Sequence, residues 1–113
     1  VTDAQAPLPP EVSPAAAAEL AAAGAALIDV RERVEWDAGR IAGAIFLPMS
    51  ELPARLDELP PGDLVIVCRS GSRSGMVSSA LAQSGRRVAN LTGGMLAWTA
   101  AGLPIEPADG YVV

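Results

Sequence analysis

The chain has 113 residues, half of them hydrophobic, with eight Lys+Arg against thirteen Asp+Glu and a formal charge of −5. All eight basic residues are Arg, so the chain has no Lys; it also has no His and only one Cys. These counts exclude a Ser-His-Asp triad, a Cys-His dyad, a His-ligated metal, a Schiff base and a P-loop lysine, and one Cys closes neither an internal disulfide nor a zinc cluster.

Residues 1–10 are small and Pro-rich and are expected to form a flexible tail. Ser13-Pro14 opens a helix, with Ser as N-cap and Pro in the first turn; the Ala-rich run continues to Ala23 and Gly24 stops it. Ala26 to Val30 is a short apolar run expected to be a buried strand. The charged segment from Arg31 to Arg40 is expected to hold a short helix, and Gly43 to Leu47 a second strand ended by Pro48. Ser50 to Leu59 places leucines at helical spacing, followed by a turn at Pro60-Pro61-Gly62-Asp63. Leu64-Val65-Ile66-Val67 is the most apolar run, as suits a central parallel strand covered on both faces. Ser74 to Ser84 is expected to be a helix with Met76, Val77, Ala80 and Leu81 on one side, closed by Gly85. A last core strand over Val88 to Leu91 and a terminal helix over Gly93 to Ala101 complete the pattern. Strand and helix alternate throughout, which predicts an α/β fold with a mostly parallel sheet.

The informative segment is Cys68-Arg69-Ser70-Gly71-Ser72-Arg73-Ser74, placed between the most apolar strand and the following helix. Ligands of open α/β sheets bind beyond the carboxyl ends of the strands. Five of the seven residues after Cys68 are Ser or Gly, small enough to let backbone N–H groups curl around one point. Such a nest against a helix N-terminus is an anion site, and Arg69 and Arg73 add full charges. A thiol there ionises more easily, and without His this is the visible way to activate it. A lone Cys is commonly just a small buried hydrophobe. A purely structural strand-to-helix turn, however, needs neither the Ser/Gly run nor two Arg within five positions.

From these residues the sequence resembles the rhodanese, or sulfurtransferase, family over roughly residues 11–106. The loop at 68–74 looks like that family's active-site loop, and Leu27-Ile28-Asp29-Val30-Arg31-Glu32 like its early strand motif. Arg40-Ile41-Ala42-Gly43-Ala44 is similar to its His-Ile-Pro-Gly-Ala pattern, with Arg for His and Ala for Pro. Leu91-Thr92-Gly93-Gly94 to Trp98, with Gly102-Leu103-Pro104, resembles its closing motif. The resemblance implies a three-layer fold with a mostly parallel five-stranded sheet and helices on both faces, followed by a C-terminal tail over 107–113. It also implies a thiosulfate sulfurtransferase with Cys68 as nucleophile and no cofactor or metal. In that reading Arg69, Ser70, Gly71, Ser72, Arg73, Ser74 and Arg31 bind substrate, Asp29 supports the loop or an Arg, and the Arg facing the donor is left open. The expected partners are a small-molecule sulfur donor and a cyanide or thiol acceptor.

Two alternatives remain at this stage. One is a protein-to-protein sulfur relay or binding module using the same Cys68. The other is a cysteine phosphatase or arsenate reductase, whose Cys-x5-Arg loop would need Arg where this chain has Ser74. The acidic balance disfavours nucleic acid and anionic membranes. No apolar run reaches the roughly 18 residues of a membrane span and no signal peptide is visible, so a cytoplasmic domain is expected. Trp36 and Trp98 are expected to pack in the core, and Gly93-Gly94 to form a turn and not a nucleotide loop. Glu11, Glu19, Glu32, Glu35, Glu51 and Glu58 are expected to be solvated surface charge.

Overall fold

The computed structural model describes residues 7–113; residues 1–6 of the predicted tail lie outside the described residues. The elements in chain order are β1 (Glu11–Val12), α1 (Pro14–Ala22), β2 (Ala26–Asp29), α2 (Arg33–Ala38), β3 (Ile45–Phe46), β4 (Leu64–Val67), α3 (Ser72–Gln83), β5 (Val88–Leu91) and α4 (Gly94–Ala100). The strands form one five-stranded sheet in the order β1-β5-β4-β2-β3, and every pairing is parallel.

Alternation along β4 sorts the core into two layers, because successive side chains of a strand point to opposite faces. Leu64 and Ile66 join Ile28, Val77, Leu81 and Val88 beneath α3. Val65 and Val67 join Ala17, Leu91, Met95 and Trp98 beneath α1 and α4. Cys68 continues the Leu64–Ile66 side, so the pleat alone delivers its side chain toward α3. The chain leaves β2 toward β3 and leaves β4 toward β5, in opposite directions along the sheet. The carboxyl ends of β2 and β4 therefore flank the switch point, where a crevice opens in sheets of this kind.

The structure departs from the sequence-based expectations in four places. Glu11–Val12 forms an edge strand that the sequence reading did not locate; it pairs with Asn90 and Leu91 of β5. The segment from Ser50 to Leu59 is two 3-10 turns, Leu52–Ala54 and Leu56–Glu58, and not a helix. Pro53 supplies no N–H there and Arg55 leaves the helical region at φ −126°, so the turns cannot fuse. Trp36 is only half-buried: it stacks on Phe46 at 5.1 Å under the Arg40 guanidinium, whereas Trp98 is in the core as expected. α3 also begins at Ser72, two residues before the predicted start, so Ser72 and Arg73 belong to its first turn. No helix among the described residues is long and apolar enough to cross a membrane.

The final segment is tied down by backbone contacts. Tyr111 N–H donates to the Ala38 carbonyl at 3.0 Å, and Arg40 and Glu106 exchange two backbone hydrogen bonds.

Candidate active site

Cys68 follows the last residue of β4 and is 1% exposed. The chain then turns sharply: Gly71, at φ 105°, adopts a backbone that other residues rarely take and caps α3. This turn aims the Gly71 N–H back at the Cys68 Sγ, 3.1 Å away. Ser74, in the first turn of α3, brings its Oγ to 3.2 Å from the same sulfur. Burial pushes the Cys68 thiol up, but the Ser74 hydroxyl and the N–H groups of Ser74, Gly71 and Ser70 outweigh it. The net result is a thiol more acidic than an ordinary cysteine.

The loop is also held from behind. The first N–H groups of α4 cap its carbonyls, Met95 to Cys68 at 2.9 Å and Leu96 to Arg69 at 3.0 Å. A Cβ at Gly94 would run into those same Cys68 and Arg69 carbonyls, so the Gly93-Gly94 pair is a turn, as expected, and lets α4 abut the loop.

The three arginines have different surroundings. Arg73 makes a two-pronged ion pair with Glu35 of α2, at 2.8 and 2.9 Å, and those hydrogen bonds, helped by the positive charge, hold the Glu35 carboxyl down at about 2. Glu35 is thus a loop partner and not the solvated charge the sequence suggested. Arg69 is exposed and its Nε donates to the Val113 carbonyl at 2.6 Å. Arg31 is wholly buried: its Nε and Nη2 meet Asp29 at 3.0 and 2.8 Å, and Nη2 also donates to the Gly39 carbonyl at 2.8 Å. Ser70 and Ser72 are exposed at the loop's outer edge.

Two residues at the site escaped the sequence reading. Asn90 of β5 accepts from Ser74 and donates to the Gly71 carbonyl, and Glu11 of β1 accepts from Asn90. A polar Asn inside a four-residue apolar strand was the available signal, because a buried amide requires partners. Among the described residues no group of acidic, Cys or His side chains is arranged to hold a metal ion. The arrangement can stabilise an anionic sulfur and receive an anion beside it.

Comparison with known proteins agrees with this architecture. The family model described as the rhodanese-like domain matches residues 13–101. A sulfurtransferase of Allochromatium vinosum is 45% identical over 86 residues, covering 74% of this chain and 80% of the relative. The crystal structure of a rhodanese-related protein from Thermoplasma volcanium superposes with a TM-score of 0.79 at 30% identity, over 84% of this chain and 95% of that one. A thiosulfate sulfurtransferase from Pseudomonas aeruginosa superposes with a TM-score of 0.75 at 30% identity, over 88% of this chain but 20% of the longer one.

Proposed function

Because this chain belongs to the rhodanese-like family, we propose that it carries sulfane sulfur on Cys68 from an anionic donor of the thiosulfate type to cyanide or a thiol. The observation that carries this reading is the single Cys, held at the carboxyl end of the central strand by the Gly71 N–H and the Ser74 hydroxyl.

The chemistry follows from those contacts. The Cys68 thiolate attacks the outer sulfur of thiosulfate; an S–S bond forms to Sγ, the donor's own S–S bond breaks, and sulfite leaves with the electron pair. The resulting persulfide is an anion, and the loop N–H groups are donors already in place for it. An acceptor thiolate or cyanide then attacks the terminal sulfur and Cys68 departs as thiolate, a two-step exchange on one nucleophile. Arg73 and Arg69 are assigned to the donor oxyanion, since both reach solvent beside the loop. Arg31 is given a bracing part with Asp29, because its wholly buried guanidinium is held by the Asp29 carboxylate and the Gly39 carbonyl. Ser74, six residues after Cys68, points its hydroxyl at Sγ where a phosphatase loop would carry Arg, and this argues against phosphate chemistry.

Intact mass after incubation with thiosulfate tests the reading. Wild type should gain one sulfur atom and release it to cyanide, and Cys68→Ser should do neither while remaining folded. Loading from a protein persulfide but not from thiosulfate would replace the small donor with a protein. Phosphate release from an aryl phosphate without sulfur loading would overturn sulfur transfer altogether.

A further inference from the structure

Asn90 is 3% exposed, with its side chain between β1 and α3. Its Nδ2 donates to both Glu11 carboxylate oxygens at 3.1 Å and to the Gly71 carbonyl at 3.0 Å. Three acceptor atoms around one nitrogen fix which end of the amide is which, so Oδ1 faces Ser74 Oγ at 2.5 Å. That serine has one hydroxyl proton and two claimants for it, because Cys68 Sγ lies 3.2 Å from the same oxygen.

The two states of the sulfur satisfy this network differently. A neutral thiol donates its own proton to Ser74 Oγ, and Ser74 donates to Asn90, so each buried atom has a partner. A sulfur anion has no proton to give. If the hydroxyl turns to add itself to the N–H donors at Sγ, Asn90 Oδ1, a buried acceptor, loses its donor.

We propose that Asn90 is a positioning residue of the sulfur site: anchored by Glu11, it steadies the Gly71 peptide and competes with the sulfur for the Ser74 hydroxyl. The amide tempers the anion as well as building its cradle. The charged groups on the elements that build the site are Arg69 and Arg73 on the loop and α3, Glu35 on α2 with Glu32 as its N-cap, the Asp29–Arg31 pair at the end of β2, and Glu11 on β1; α4 carries none. Asn90 is neutral, so its influence passes through hydrogen bonds and not through a change of charge. The inference rests on Cys68 being the reactive group, and its test uses alkylation, which needs no sulfur donor.

The experiment measures the rate of Cys68 alkylation by iodoacetamide against pH in wild type, Asn90→Leu, Ser74→Ala and the double variant. In Ser74→Ala, removal of Asn90 acts only through the Gly71 peptide. In the Ser74 protein it also frees the hydroxyl for the sulfur. The effect of Asn90→Leu on the thiolate fraction should therefore be about three- to tenfold more favourable when Ser74 is present. Equal effects in the two backgrounds, or a less favourable one with Ser74 present, would overturn the proposal. Circular dichroism checks folding, and Asn90→Ala, which demands no extra packing volume, replaces Leu if that variant fails to fold. A protein with the expected coupling that never gains sulfur from thiosulfate would sink the donor assignment and leave this inference standing.

Discussion

Glu35 and Asp29 both pair with an arginine, and their surroundings make the two pairs behave differently. The Glu35 carboxyl is held at about 2 by Arg73, below the ordinary value of 4.5. A depressed carboxyl contributes stability that is complete above its unfolded value and is lost as pH falls through its folded one. The Glu35–Arg73 pair should thus contribute fully above about pH 5 and disappear between about pH 4.5 and 2. The Arg73 side chain is 35% exposed, so solvent screening keeps the contribution to about 1 kcal/mol. Urea unfolding of Glu35→Gln against wild type at pH 7 and pH 3 should show a difference that shrinks at the lower pH; a constant difference would contradict the pairing. Asp29 and Arg31 are 1% and 0% exposed, beyond such screening. Arg31 Nη1 already lacks a hydrogen-bond partner among the described residues, so the guanidinium depends heavily on Asp29. Asp29→Asn leaves a buried charge without its counter-ion and should cost about 3–5 kcal/mol, read as a fall in the urea midpoint. Salt should barely change that loss, because a buried pair is weakly screened.

At the scale of elements, the loop depends on how closely α4 can approach it. Gly94 and Gly85 both have positive φ, 59° and 97°, but a Cβ at Gly85 meets nothing within 4 Å while one at Gly94 strikes loop carbonyls. Gly85→Ala should therefore cost about 1–2 kcal/mol of backbone strain and leave sulfur loading intact. Gly94→Ala should cost about 3 kcal/mol or more and slow loading as well, because α4 must back away from the Cys68 and Arg69 carbonyls. Thermal unfolding together with the thiosulfate loading rate separates the two. The same geometry explains which parts of the site could be read from sequence. Cys68, Gly71, Arg73 and Ser74 sit within seven residues, so their chemistry shows as a local pattern. Asn90 meets Glu11 across 79 positions and Arg73 meets Glu35 across 38, and no local pattern announces either. The strand β1 was hidden for a related reason. Its two residues carry no periodicity, and only pairing with Asn90 and Leu91 makes them a strand. Leucines at helical spacing between Pro48 and Pro60 misled in the other direction, because Pro53 and the departure at Arg55 break the run into separate turns.

The whole molecule places one sulfur atom of cysteine at the carboxyl end of the central strand of an all-parallel sheet and has no second thiol within its 113 residues. A second thiol that attacks the inner sulfur of a persulfide forms a disulfide and expels hydrosulfide. Here no such partner exists in the chain, and Cys68 at 1% exposure is badly placed to meet the Cys68 of another copy. The sulfur, once loaded, has only external routes of escape. The donors around Sγ, the Gly71 N–H and the Ser74 hydroxyl, belong to the loop itself and do not depend on the donor molecule remaining bound. The loaded chain should therefore survive removal of thiosulfate as a discrete, monomeric intermediate carrying one sulfur per chain. Desalting after loading, followed by intact mass over time, should show the added sulfur persisting until cyanide is supplied. At that point one thiocyanate should form per loaded chain and the original mass return. Loss of the sulfur without an acceptor, accompanied by disulfide-linked dimers on non-reducing gels, would show that two chains can bring their cysteines together and that burial does not isolate the site.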